Sequence, residues 1–161
     1  MNSAGKAEQG ARKDELPVIS SNLNLHIQML KLTTLISQPM REWVAKPHDL
    51  SIEDIKIMIC LGDQGELTGR ELSDLLAIQP MAASRAIAAL MEKGWLKRKT
   101  DRKDRRRRPV SLTPDGLDAY RAIIPSMAAL ADKLYGSFNG RERDFLYSAI
   151  TSILNNEMIH S

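Results

Sequence analysis

With 161 residues, 43% of them hydrophobic and 27% charged, and a formal net charge of +3, the chain has the size of one domain with helical extensions. Its longest apolar runs, Ile57 to Leu61 and Ala86 to Met91, are too short to span a bilayer, and the first twenty residues carry no apolar signal core. A cytoplasmic protein without membrane contact is expected. The single cysteine, Cys60, excludes an internal disulfide and a cysteine cluster for zinc.

Residues 1–20 mix Gly, Ala, Ser and charge without periodicity, which predicts a flexible tail. Ser21 or Asn22 can cap a first helix carrying Leu23, Leu25, Ile27, Met29, Leu30, Leu32, Leu35 and Ile36. These positions occupy more than one face, so burial on two sides is expected, with Pro39 bending or ending the helix and Arg41 to Ala45 adding a short turn before Pro47. The segment 21–48 is therefore read as a dimerisation region.

Within 49–113, Ser51 with Asp54 marks the start of a short helix through Ile55, Met58 and Ile59 to Gly62. Thr68 and Glu71 fit a reciprocal capping box, after which Leu72, Leu75 and Leu76 should face inward; Leu67 ahead of them is the expected first strand of a small sheet. Pro80 suits a first helical position, and Ala83, Ile87, Leu90 and Met91 recur at helical spacing up to Gly94. Met81, Ala82, Arg85, Ala88 and Glu92 are left on the outer faces.

A short strand, an arginine-rich loop and a second short strand follow. Between Trp95 and Arg108 nine cations stand against Asp101 and Asp104, a net of +7, so the rest of the chain sums to −4. That concentration is the electrostatic footprint of a phosphate-backbone partner. A helix followed by a basic hairpin reads as a winged helix-turn-helix: a mainly α fold with a three-stranded small sheet, flanked by N- and C-terminal dimerisation helices.

In 114–161, Thr113 and Pro114 open a long helix through Leu117, Tyr120, Ile123, Met127, Leu130 and Leu134, with a kink expected at Pro125. Asn139 and Glu142 form a second capping box ahead of the stripe Phe145, Leu146, Ala149, Ile150, Ile153 and Leu154. The terminal helices carry more apolar surface than a small winged domain covers, which predicts a symmetric homodimer built from both chain ends.

The order of elements, and above all Asp104-x-Arg106 followed after five residues by Leu112-Thr113-x-x-Gly116, resembles the signature of the MarR family of bacterial transcriptional regulators. Thr68 to Gly116 is similar to that family throughout, including Ser84-Arg85 and Gly94, whereas the flanking helices match in placement. The resemblance implies a triangular dimer whose recognition helices enter successive major grooves of double-stranded DNA while the wings reach adjacent minor grooves.

Within that frame the recognition helix offers Gln79, Met81, Ala82, Ser84 and Arg85. The planar fork of Arg85 can pair with guanine O6 and N7, a discrimination of roughly 1–3 kcal/mol, and Gln79 can serve adenine or a phosphate. Where the family usually has small hydroxylated residues this chain has Met81 and Ala82, which suit thymine methyl groups. In the wing, Asp104 would orient Arg106 or another arginine, and Arg105, Arg107 and Arg108 would divide between minor groove and phosphates.

The resemblance also implies a small effector, often an aromatic or phenolic acid, bound between the dimer helices and the winged domain. His26, Met29, Arg41, Trp43 and Tyr120 are the candidate pocket residues. Cys60, set in an apolar run, reads as a core thiol with a raised pKa rather than a redox sensor. The three histidines lie in unrelated segments, and no phosphate loop or metal-ligand spacing is present, so no catalytic residue, metal or cofactor is expected. Two readings remain: a ligand-responsive repressor on a pseudo-palindromic operator, or an architectural protein that uses the basic wing without sequence choice.

Overall fold

The structure, a computed structural model, describes residues 20–99 and 108–156. Tail residues 1–19, the wing segment 100–107 and residues 157–161 lie outside the described residues. The chain divides into two compact units, one ending at Ser37 and one beginning at Gln38.

The first unit holds most of α1 (Ser21–Pro39), none of whose residues is buried. Its cap is Ser20, one residue earlier than expected, with the Ser20 hydroxyl accepting the Leu23 N–H at 3.2 Å. The two-sided burial expected of this helix is not seen in the single chain: Leu23, Leu25, Leu30 and Leu35 are exposed.

In the second unit a π-helical segment, Met40–Ala45, and a 3-10 turn, Lys46–His48, lead to α2 (Ile52–Gln64). Ser51 and Asp54 form a full capping box at the start of α2. The helix runs past Gly62 and stops at Gly65, whose φ of 85° turns the chain out of helical conformation. α3 (Gly69–Leu76) begins at the expected box of Thr68 and Glu71. Only Glu66 and Leu67 remain between the cap residues Gly65 and Thr68, too little chain for a strand, so the expected three-stranded sheet contracts. Leu67 makes a one-residue bridge to Val110, and the sheet has two antiparallel strands, β1 (Leu96–Arg98) and β2 (Val110–Leu112).

The turn from α3 to α4 (Pro80–Glu92) passes through Ala77, which adopts φ 48°. Buried Ser73 secures the turn: its hydroxyl donates to the Ile78 carbonyl at 2.7 Å and its own carbonyl accepts the Ile78 N–H at 3.1 Å. Leu72 is buried as expected and Leu76 partly so, but Leu75 is 62% exposed, because the buried side of this helix runs through Leu72, Leu76 and Ser73 and Leu75 lies on the flank of Leu72 away from Ser73. Ile55, Ile57, Met58, Leu61, Leu72, Ile87, Leu90, Leu96, Val110 and Ile123 fill the core between α2, α3, α4, the hairpin and α5 (Pro114–Tyr135). α5 continues through Pro125, and the expected capping box of Asn139 and Glu142 opens α6 (Gly140–Leu154).

Candidate nucleic-acid interface

On α4, inward positions Ala83, Ala86, Ile87 and Leu90 are buried. This anchoring leaves Gln79, Met81, Ser84 and Arg85 exposed along one stretch of surface, Met81 at 67%, while Ala82 is partly covered. An exposed methionine at that level is apolar surface that solvent does not favour, whereas Arg85 presents its charge freely.

The helix end is tied to the hairpin and α5 by backbone contacts. The Trp95 N–H donates to the Leu90 carbonyl, and the Thr113 N–H donates to the Trp95 carbonyl, both at 2.9 Å. Gly116 passes so close to Trp95 that an added Cβ would fall on the Trp95 carbonyl oxygen. The end of α4, the base of the hairpin and the first turn of α5 are therefore packed backbone to backbone.

Between α3, α4 and the hairpin lies a cavity of about 590 Å³. Arg70, Arg98, Arg108 and Ser84 line it, with Asp74 as the acid of the lining. Arg70 and Asp74 are 3.9 Å apart and both largely solvated, so that pair neutralises little. Three arginines thus line one cavity beside the exposed face of α4, an arrangement suited to the phosphates of a polyanion. Of the expected wing residues, Arg108 is exposed at this cavity, and Asp104, Arg105, Arg106 and Arg107 lie outside the described residues.

The sequence does not single out Arg70 or Arg98. Strand alternation offers a signal for Arg98, which it sets on the face opposite Lys97. Arg70 carries no such signal, because its place in the cavity depends on how α3 packs against α4.

Two further ion pairs lie beside the site. Lys93, just after α4, meets Asp49 at 2.9 Å and lies 5.5 Å from the centre of the Trp95 ring. The Lys93 ammonium holds the Asp49 carboxyl below its usual range, first through the hydrogen bond and then through its charge. Lys99, at the end of the first wing strand, meets Glu66 at 2.7 Å.

α3 and α4 thus form a helix-turn-helix whose second helix exposes Arg85, and the hairpin after it is locked to α5 at Trp95, Thr113 and Gly116. The family model described as MarR family matches residues 50–107. The HTH-type transcriptional regulator YwoH of Bacillus subtilis is 25% identical over 126 residues, covering 77% of this chain and 90% of that protein. A mutant MarR of Escherichia coli, solved in complex with operator DNA, shares the fold with a TM-score of 0.72. It is 19% identical, and the match covers 86% of this chain and 99% of that one. BpsR of Bordetella bronchiseptica, whose DNA binding is regulated by 6-hydroxynicotinic acid, superposes with a TM-score of 0.71 at 19% identity, covering 81% of this chain and 98% of that one.

The matched segment takes in α2, α3, α4 and β1; the five candidate effector residues fall outside it. His26 is exposed and Met29 half-buried on α1. Arg41 lines a surface cavity of about 520 Å³ with Glu42, Lys46, Asp49, Leu50 and Ser51, and neither Trp43 nor Tyr120 reaches it. Trp43 is half-exposed under the Lys133 ammonium, 4.4 Å from the ring centre. Tyr120 packs its ring against Gly62 so closely that a Cβ there would stand 2.7 Å from it. Cys60 is half-buried rather than fully enclosed; burial, with a smaller contribution from Asp63, pushes its thiol up. Among the described residues no helix is long and apolar enough to cross a membrane, and no cluster of His, Cys, Asp or Glu is placed to hold a metal.

Proposed function

We propose that this protein is a transcriptional repressor that binds a pseudo-palindromic DNA operator as a homodimer and is released by a small aromatic acid or a derivative of one. The observation that carries the reading is the cavity that Arg70, Arg98 and Arg108 line beside the exposed residues of α4. Arg85, Met81 and Gln79 read base edges in a major groove, the arginines of the cavity engage phosphates, and the basic loop beyond them enters the minor groove.

Dimerisation is supported by apolar side chains left in solvent at both chain ends. Phe145 and Tyr147 are 77% and 75% exposed on α6, joined there by Ile153 and Leu154 and on α1 by Leu23, Leu25, Leu30 and Leu35. A two-fold dimer places its recognition helices about one DNA turn apart, roughly 34–36 Å. The aromatic effector is carried over from the fold relatives, of which BpsR responds to 6-hydroxynicotinic acid. Such a ligand releases DNA by binding the incompetent helix spacing more tightly than the competent one.

The test is selection of fragments of the source genome by the purified protein at near-physiological salt, with the protected sequence mapped. Enrichment of one palindrome, lost on adding the right aromatic acid, supports the repressor. Binding that ignores sequence and vanishes with salt favours the architectural reading.

A further inference from the structure

The two faces of the wing hairpin differ in charge and in neighbours. Along β1, Leu96 is buried and Arg98, two residues on, lines the cavity shared with Ser84 of α4. Lys97 points to the other face, where it lines a separate cavity with Glu66, Ser111 and Leu117. Lys99 continues the Lys97 register and ends on Glu66, its ammonium 2.7 Å from Oε2.

Glu66 is held where it can do this by its neighbours in the chain. Leu67 exchanges backbone hydrogen bonds with Val110 at 2.8 and 3.1 Å, and Lys99 donates its own N–H to the Pro109 carbonyl at 2.9 Å. The pair spans 33 residues of sequence and ties the hairpin, just before the arginine-rich loop, to the connection between α2 and α3. Lys99 remains 64% exposed and Glu66 37% exposed, so the contact adds little to folding stability. Its effect is on where a positive charge stands.

We propose that Glu66 is a positioning residue for DNA discrimination: it holds Lys99 on the hairpin face away from α4, so that this cation does not add a sequence-blind phosphate contact. The inference rests on the DNA-binding reading above. A free lysine at the base of the wing contributes affinity for any duplex, and because that gain is equal for all sequences it lowers the share of binding that depends on base readout.

The experiment compares full-length wild type, Glu66→Gln, Lys99→Met and the double variant on a random duplex and on the selected operator fragment across a salt series. Glu66→Gln is expected to steepen the salt dependence on the random duplex by about one released ion, which is roughly fivefold tighter binding near 0.15 M salt, with a smaller gain on the operator. Lys99→Met is expected to match wild type, and the double variant to match Lys99→Met, with unchanged thermal unfolding in all four. An unchanged slope in Glu66→Gln overturns the inference. So does a gain that persists without Lys99, since Glu66 would then act only as a repelling charge. Failure of wild type to bind any duplex instead overturns the DNA-binding reading, and this inference with it.

Discussion

The Thr113 hydroxyl donates to the Gly94 carbonyl at 2.7 Å, joining the start of α5 to the turn that ends α4. The same oxygen accepts the Gly116 N–H at 3.0 Å as the helix cap. One hydroxyl therefore satisfies an exposed helix terminus and fixes the base of the wing. Thr113→Val keeps the shape and loses both bonds, and it is expected to lower stability by about 1–2 kcal/mol in denaturant unfolding. Thr113→Ser, which keeps the hydroxyl, should lose much less; a Val variant as stable as wild type beside a destabilised Ser variant would mean that the methyl packing, not the hydroxyl, matters.

Gly116 and Gly140 both lie at the start of helices, yet their surroundings are opposite. An added Cβ at Gly116 meets the Trp95 carbonyl, whereas at Gly140 it meets nothing within 4 Å. Gly116→Ala should destabilise by about 1–3 kcal/mol or prevent folding, because backbone on both sides must shift. Gly140→Ala should stabilise by about 0.4–1 kcal/mol through the unfolded chain. Thermal melts of the two variants moving in the same direction would contradict this packing.

Arg85 and Arg108 divide the proposed interaction with DNA between base and backbone. Arg85→Ala should weaken the operator by about 1–3 kcal/mol while sparing random duplex. Arg108→Ala should weaken both and reduce the salt slope by about one ion. Equal loss on both duplexes for Arg85→Ala would remove its assigned role.

The Asp49–Lys93 pair makes a pH-dependent contribution. Asp49 titrates below its ordinary value when folded, so its stabilising effect is fully present above the unfolded carboxylate pKa and is lost as pH falls through the folded one. The stability gap between wild type and Asp49→Asn should accordingly be constant from neutral pH to about pH 5 and close in more acid solution. Asn tolerates the positive φ of 53° at this position, so the comparison isolates charge. A gap that widens on acidification would refute the assignment.

Cys60 is expected to be a slow nucleophile. Its thiol is raised by burial and by Asp63, so the thiolate fraction at neutral pH is below that of a free cysteine. Alkylation of the native protein should run slower than that of the unfolded chain, and Cys60→Ser should leave DNA binding unchanged. Peroxide-dependent loss of binding that Cys60→Ser abolishes would reverse this conclusion.

Local chemistry was legible in the chain. Each capping box joins residues three apart, Thr68 with Glu71 and Asn139 with Glu142, so a hydroxyl or amide and a carboxylate at that spacing determine a helix start wherever the helix goes. The burial of Ala83, Ile87 and Leu90 follows from helical spacing, and the cationic wing from a run of adjacent residues. What the tertiary structure decided are pairings across distance. Lys93 reaches Asp49 across 44 residues, Lys99 reaches Glu66 across 33 and Thr113 reaches Gly94 across 19. Leu67 became a single bridge instead of a strand because Gly65 ends one helix and Thr68 caps the next. Leu75, next to Leu72 on the helix surface, was left in solvent because the packing of α3 centres on Leu72, Ser73 and Leu76 and leaves the other flank uncovered. Short-range hydrogen bonding and periodicity are properties of a segment, whereas the position of Arg70 beside Arg98 and Arg108 depends on helix packing that no segment contains.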